Sequence, residues 1–179
     1  VVVNKIPFNS DDDLDAASEA LSQAMPFCDG ILYTRQDPYK LLTRIIEHTV
    51  PSRYVDITAD HFICGLLKAS VLYDVDVRTV SLDTLSYDSV QHVYKELNLS
   101  LEKIAPIRVS ISNKAHGFVQ KVQYEHLENY RSGKCSACIT SIRSVYDFLK
   151  QQQVPTILMS PDEKDYISEI RRLVLLPQY

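Results

Sequence analysis

The sequence contains few of the residues that mark specialised classes of protein. Four cysteines in 179 residues are too few for a disulfide scaffold. No apolar run approaches the roughly 18 residues that a membrane span needs. Basic residues do not outnumber acidic ones, at 19 against 23, and no basic cluster stands out. We therefore expect no membrane association and no direct contact with nucleic acid.

Motifs that signal catalysis or metal binding are also absent. The chain has no glycine-rich phosphate loop and no G-x-S-x-G nucleophile elbow, and its five histidines stand in unrelated contexts. Cys135 and Cys138 form a C-x-x-C pair without the second pair or the two histidines that zinc requires. Buried, reduced thiols in a cytoplasmic protein are the simpler interpretation. We expect no enzyme activity, no catalytic residue, no metal and no cofactor.

Short apolar runs alternate with amphipathic segments along the whole chain. The amphipathic segments carry apolar residues at the spacing of one helix face, and the runs between them have the length of buried strands. Strands are expected at 1–7, 30–34, 53–57, 77–82, 106–112, 137–140 and 155–159. Helices are expected at 12–24, 38–48, 60–73, 86–97, 118–131, 143–152 and 162–175. This order predicts an α/β fold of parallel sheets flanked by helices.

An internal repeat divides the chain into two similar halves. At an offset of 107 positions Leu32 matches Ile139, and at an offset of 104 Val50-Pro51 matches Val154-Pro155. Such matches keep the apolar pattern, the turn residues and the element order together, as two similar α/β lobes would. The repeat predicts a cleft between the lobes. It places lobe one at 1–75, a connecting strand and helix at 76–105, and lobe two at 106–179.

Polar residues follow the predicted strands at their carboxyl ends. Ligands of parallel α/β sheets bind beyond these ends, where the next helix presents free N–H groups that favour anions. Hydroxyls in these positions are also ordinary helix N-caps, whereas no cap needs Arg35 or Arg143. Together they suit a small carboxylate, phosphate or polyol. The predicted ligand-binding residues are Thr34, Arg35, Thr58, Ser81, Asp83, Thr84, Thr140, Ser141, Arg143 and Ser160.

A phospho-receiver domain is an alternative hypothesis. Acids at 11–13 follow the first predicted strand, and Asp56 lies near the end of the third. In such a domain clustered acids hold Mg²⁺ beside a phosphoacceptor aspartate, so Mg²⁺ binding would need Asp12 or Asp13 together with Asp56. A receiver does not explain the second half of the chain. A third hypothesis is an α/β enzyme, or an inactive relative of one, whose residues converge only in space.

Two segments resemble the amino-terminal sensor domain of propionate-catabolism activators. In the first, Cys28 to Ala69, a strand ends in Thr34-Arg35 and is followed by a helix, Val50-Pro51 and a second strand. The second, Tyr130 to Leu173, looks like the second lobe of the same family, with Val154-Pro155 between a helix and a strand. The glycine pair that follows the first arginine in the family is replaced here by Gln36-Asp37-Pro38.

The resemblance implies a two-lobed, periplasmic-binding-protein-like sensor in the cytoplasm that holds a small metabolite, often an organic acid, between its lobes. Closure would be passed to effector and DNA-binding domains of the same polypeptide that lie outside this chain. The chain begins inside an apolar run, Val1 to Val3, as expected of a piece of a longer protein. A homodimer is consistent with a regulator, although no apolar helix face in the sequence identifies the contact. The expected function is ligand sensing within a bacterial-type transcription regulator.

Overall fold

A computed structural model describes residues 2–8, 13–101, 104–106 and 117–175. Helices and strands alternate through these residues close to the predicted order. The helices are α1 (Leu14–Ala24), α2 (Gln36–Ile45), α3 (Ala59–Tyr73), α4 (Tyr87–Glu96), α5 (Phe118–Arg131), α6 (Arg143–Gln151) and α7 (Glu163–Val174). The strands are β1 (Ile31–Tyr33), β2 (Ser52–Tyr54), β3 (Val80–Leu82), β4 (Ala105–Pro106), β5 (Ala137–Thr140) and β6 (Thr156–Leu158).

The strands form two parallel sheets. One sheet pairs β1 with β2, and the other has the order β4-β3-β5-β6. Helices flank both sheets, so the α/β class predicted from the alternation is confirmed. The chain divides into two compact units, one formed by residues 1–56 and 161–179 and the other by residues 57–160.

The internal repeat is present in the strand register as well as in the element order. In β1 and β2, Leu32 lies opposite Arg53. In β5 and β6, Ile139 lies opposite Ile157, which are the positions that the offsets of 107 and 104 assign to that pair. The repeated series is therefore strand, helix, strand, helix, as β1-α2-β2-α3 and again as β5-α6-β6-α7.

The boundaries of the two units differ from the predicted boundaries at residues 75 and 105. Each repeat ends in a helix, and the sequence gives no reason to separate that helix from the strand before it. In the structure α3 packs against β5 and β6, whereas α7 packs against β1 and β2. The last helix of each repeat thus belongs to the sheet of the other repeat, which moves the boundaries to 56/57 and 160/161.

The unit of residues 57–160 has apolar clusters on both faces of its four-stranded sheet. Phe62 of α3 and Tyr94 of α4 pack with Ile139 on one face. Val122 of α5 and Leu149 of α6 pack with Cys138 on the other, because successive strand residues point to opposite faces. Gly65 lets α3 lie close to the sheet: a Cβ there would stand 3.3 Å from Ile139 Cγ2 and 3.4 Å from Met159 Cγ.

The other unit has a smaller core, in which Leu21, Met25, Tyr33 and Leu42 are buried together. Gly30 sits where α7 crosses the start of β1. A Cβ at this position would lie 2.9 Å from Leu173 Cδ2 and 3.3 Å from the carbonyl oxygen of Pro51. Glycine therefore allows α7 to lie close to this point without a shift of the Leu173 side chain.

One expectation about local structure is corrected. Residues 2–8 are not a strand; an apolar run becomes a strand only when a neighbouring strand pairs with it, and none of the described residues does so. On α3, Phe62 is fully buried, whereas Ile63 and Leu67 are 42% and 62% exposed. Most of the strand expected at 106–112 lies outside the described residues.

Candidate functional site

The carboxyl ends of β3 and β5 form a topological switch point. These strands are neighbours in the sheet, but the helix that follows β3 covers one face and the helix that follows β5 covers the other. The first is α4, packed with α3, and the second is α6, packed with α5. The chain therefore leaves β3 towards one face of the sheet and leaves β5 towards the other. Ligands of open parallel sheets bind at such a point.

Several polar side chains at this edge point towards α5, because successive residues of a strand point to opposite faces of the sheet. Val80 and Leu82 face the α3 and α4 side, so Ser81 and Asp83 face the opposite side. By the same alternation Ile139 packs on the α3 and α4 side and Thr140 faces α5. His126, on the inward face of α5, is fully buried against them, as are Ser81 and Thr140.

Hydrogen bonds join these side chains into one buried network. His126 lies between Ser81 and Asp83: its Nδ1 is 2.9 Å from Ser81 Oγ, and its Nε2 is 3.2 Å from Asp83 Oδ2. Asn129 Nδ2 donates to Ser81 Oγ across 3.2 Å. Thr140 Oγ1 donates to Asp83 Oδ2 and accepts the backbone N–H of Ile142 at 3.0 Å.

The His126 ring lies between two polar partners whose roles depend on its protonation. A neutral ring that accepts the Ser81 hydroxyl at Nδ1 donates from Nε2 to Asp83 Oδ2, whereas a ring protonated at both nitrogens forms an ion pair with Asp83. In either form Asn129 Nδ2 donates to Ser81 Oγ.

Three buried oxygen atoms at this edge have no partner among the described residues. They are Asp83 Oδ1 and Thr84 Oγ1, which follow β3, and Ser144 Oγ in the first turn of α6. The Asp83 side chain is only 2% exposed. Buried polar atoms are almost always hydrogen-bonded, so these open positions identify the edge as the candidate site.

The serine hydroxyl of this network is closed to solvent. Ser81, His126 and Asp83 are linked in series, but Ser81 Oγ lies inside the fold with 0% exposure and already has two partners. A nucleophile must be reached by its substrate. Asp83 Oδ1, which has no hydrogen-bond partner among the described residues, is buried as well.

Other expected site residues of the same unit lie elsewhere on its surface. Thr58 is the exposed N-cap of α3, where it forms a capping box with His61; Ser160 is also exposed. Arg143 is 73% exposed and pairs with Asp147 one helical turn away, while its guanidinium lies 5.6 Å from the centre of the Tyr146 ring. Ser141 is half-buried after β5.

The first unit holds the two remaining expected residues. Thr34 is exposed and Arg35 is half-buried at the carboxyl end of β1, and Arg35 is the N-cap of α2 without a side-chain cap. Beside them Gln36 Nε2 donates to the Tyr54 hydroxyl across 2.8 Å. The ten expected residues are thus divided between the units, and the hydrogen-bonded network contains Ser81, Asp83 and Thr140 only.

Sequence reasoning missed His126 and Asn129. Both lie on α5, more than forty positions after Ser81, and nothing near them in the sequence points to β3. One signal was present: the apolar stripe of α5 places His126 beside Val122 and Leu127 on the buried face. A histidine in such a stripe requires a polar partner inside the fold.

The C-x-x-C pair is a buried thiol pair at the start of β5. Cys135 and Cys138 are both buried, whereas Cys28 is half-buried and Cys64 is exposed, and all four are free. The pKa of Cys138 is raised by its hydrogen bond with Cys135 and by burial, and the same hydrogen bond lowers the pKa of Cys135. Cys138 Sγ also lies 3.8 Å from the carbonyl oxygen of His126.

The described residues contain no group of three or more His, Cys, Asp or Glu side chains placed to hold a metal ion. Of the acids that the receiver hypothesis needs, Asp13 precedes α1 and Asp56 follows β2, and Asp12 lies outside the described residues. Within the described ranges, no helix is both long and apolar enough to cross a bilayer.

Comparison with known proteins finds a similar fold in a solved structure. The chain is similar to a crystal structure described as an NtrC family transcriptional regulator from Clostridium acetobutylicum, with a TM-score of 0.63. The sequence identity is 12%, and the match covers 89% of this chain and 76% of the other. No family model and no curated protein matches the sequence. At this identity the likeness shows the shared fold.

Proposed function

We propose that this chain is a ligand-sensing regulatory domain of a transcription regulator and that it binds a small metabolite at the carboxyl edge of its four-stranded sheet. The observation that carries the proposal is the buried Asp83 side chain at the β3/β5 switch point, whose Oδ1 has no hydrogen-bond partner among the described residues. The fold it shares with a transcription regulator supports the regulatory part. The resemblance to the propionate-catabolism sensors supports the same class.

Binding without turnover fits the chemistry of this edge. Among the described residues, Ser81 is the one serine whose hydroxyl is hydrogen-bonded to a histidine, and this hydroxyl is buried and already has two partners. A ligand that binds one conformation of the domain better than another shifts the population towards it. Effector and DNA-binding segments of the same cytoplasmic polypeptide, outside this chain, would read that shift, so the chain itself needs no contact with nucleic acid.

The test is a thermal-shift screen of the chain against amino acids, amines, sugars, organic acids and nucleotides. A ligand at 100 times its dissociation constant adds about 2.7 kcal/mol to the free energy of unfolding, which gives a clear rise in Tm. Hits are then titrated by calorimetry. Hydrogen exchange with and without the hit should locate added protection at the ends of β3 and β5.

Two further arms separate the alternatives. Mg²⁺ with a small-molecule phosphoryl donor tests the receiver hypothesis, and product analysis after long incubation with each hit tests for turnover. A response to Mg²⁺ and the donor alone would replace the proposed function with the receiver. A screen in which no metabolite raises Tm would overturn ligand sensing.

A further inference from the structure

The sheet of the first unit, residues 1–56 and 161–179, has one open side that is paired in the other unit. The repeat assigns β1 and β2 to β5 and β6, and in the larger sheet β5 also pairs with β3 on its other side. Among the described residues, no strand pairs with the corresponding side of β1. Two strands are fewer than a stable sheet normally has.

The backbone of β1 has hydrogen-bonding groups that point to this open side. Its hydrogen bonds to β2 involve Ile31 and Tyr33, so by alternation the N–H and C=O groups of Leu32 point away from β2. The counterpart of Leu32 is Ile139, which pairs with Leu82 of β3. Within the described part of the chain, no loop backbone group bonds to Leu32 in place of such a strand.

The helix α7 is also covered less completely than its counterpart α3. Four residues of α3 are buried, whereas no residue of α7 is. At the matched positions Phe62 is fully buried and Leu66 is 3% exposed, but Tyr166 and Ile170 are only half-buried. Phe62 packs against α4, where the centre of the Tyr94 ring lies 5.8 Å from the centre of its own ring. The described part of the first unit therefore has no counterpart of α4 beside α7.

The order of the repeat indicates where the counterparts of β3 and α4 belong in the chain. Both elements come before α5, and α5 is the counterpart of α1. Val80 of β3 lies 28 positions before residue 108, which the offset of 107 assigns to Val1. A strand and a helix that match β3 and α4 would therefore precede Val1.

We propose that the open side of β1 and the partly covered face of α7 bind a β-strand and an α-helix that precede Val1 in the same polypeptide. The strand lies parallel to β1 and exchanges hydrogen bonds with the backbone of Leu32. The helix covers Tyr166 and Ile170. Main-chain hydrogen bonds supply the affinity when a strand is added to an open edge. This surface belongs to the first unit, so the inference does not depend on the ligand site at β3 and β5.

The experiment compares this chain with a polypeptide that also carries its natural residues upstream of Val1. Amide hydrogen exchange at Leu32 is followed by NMR, and Ile139 is the matched control because it is already paired with β3. Leu32 should exchange ~100-fold more slowly in the longer polypeptide, as expected when an open edge becomes an inner strand. Ile139 should exchange at the same rate in both.

Three outcomes of the exchange measurement would overturn the proposal. One is a Leu32 amide that exchanges equally fast in the two polypeptides. Another is a Leu32 amide that is already as well protected as Ile139 in this chain alone. The third is protection of Leu32 that rises with the concentration of this chain, because a second copy would then occupy the edge.

A pair of variants tests the helix contact separately. Ile170→Ala should lower the urea midpoint more in the longer polypeptide than in this chain, because the added helix completes the burial of the Ile170 side chain. Leu66→Ala is the matched control on α3. Since Leu66 is already 3% exposed, this variant should lower the midpoint equally in both polypeptides. An Ile170→Ala variant with equal shifts in the two would overturn the helix contact.

Discussion

Arg53 Nε donates a hydrogen bond to Glu169 Oε2 across 2.5 Å and so joins residues that are 116 positions apart. Arg53 is in β2 and Glu169 is in α7, within the same unit. Glu169 is 13% exposed and its carboxylate also accepts from Arg172 Nη1 at 2.7 Å. The pair fixes the last helix of the second repeat to the sheet of the first.

A double-mutant cycle on Arg53 and Glu169 should therefore give a measurable coupling. Replacing them singly and together with Met and Gln is expected to yield about 1 kcal/mol, the upper range for partly exposed pairs. Arg143 and Asp147 are the matched control, since they are 73% and 51% exposed and should couple by about 0.3 kcal/mol. Urea unfolding measures both; equal couplings would contradict a structural role for the longer-range pair.

Two residues of α3 should differ sharply in their effect on stability. Phe62 is fully buried whereas Leu67 is 62% exposed. Phe62→Ala should lower the free energy of unfolding by about 3–5 kcal/mol, and Leu67→Ala by no more than about 0.5 kcal/mol. Urea unfolding of the two variants side by side checks this. A large loss for Leu67→Ala would mean that this face of α3 is covered in solution.

Removal of the imidazole at the centre of the buried network should be costly. His126→Ala leaves a cavity and removes partners from both Ser81 and Asp83. We expect a loss of about 3 kcal/mol. His92→Ala, at an exposed position of α4, is the control and should stay within about 0.5 kcal/mol of the parent. Similar losses in the free energy of unfolding for the two variants would contradict a stabilising role for His126 in the network.

Stability should fall at alkaline pH in a manner that depends on Tyr94. Burial, with a smaller contribution from Asp76, raises the pKa of the Tyr94 phenol above its ordinary value of 10.0. Because the folded state holds this proton more tightly than the unfolded state, its contribution is complete below pH 10 and is lost as pH rises further.

The measurement for Tyr94 is urea unfolding of the parent and Tyr94→Phe at several values between about pH 8 and pH 11. The variant loses the hydrogen bond from the Tyr94 hydroxyl to the carbonyl oxygen of Val77, so it should be less stable at pH 8. Its stability should then decline less steeply with pH. Parallel curves for parent and variant would rule out Tyr94 as a source of the decline.

The cysteines should react with iodoacetamide in order of exposure. Cys64 is exposed on α3, and Cys138 is buried with a pKa raised by its hydrogen bond with Cys135 and by burial. Since the thiolate is the reactive form, mass spectrometry should find Cys64 alkylated first and Cys138 modified only as fast as the unit unfolds. Early labelling of Cys138 in the folded protein would contradict the buried pair.

The sequence predicts the local elements well because their signals are local. Apolar spacing and turn residues define β5 and α6 without reference to the rest of the chain. The offsets of the repeat also agree with the observed strand register, in which Leu32 lies opposite Arg53 and Ile139 opposite Ile157. What the sequence cannot predict is the placement of α3 and α7, because an amphipathic helix fits either sheet, and close contacts such as those at Gly30 and Gly65 form only in the folded chain.

The sequence likewise predicts only part of the candidate site. Ser81, Asp83 and Thr140 follow from the rule that polar residues gather at the carboxyl ends of parallel strands. His126 does not, since its role depends on how α5 crosses β3. Arg143 has an acid one helical turn later in the sequence, at Asp147. That spacing already favours a surface ion pair over a ligand contact.

Because α3 and α7 each pack on the sheet of the other repeat, the two units complete their packing at different times during synthesis on the ribosome. Residues 57–160 are contiguous, so every strand and helix of that unit has been synthesised before α7 begins. The strands β1 and β2 of the other unit are synthesised early, but α7, which packs beside Gly30, follows only after the whole of residues 57–160. The sheet of β1 and β2 therefore completes its packing last, and during synthesis it is the part of the protein most in need of protection from aggregation.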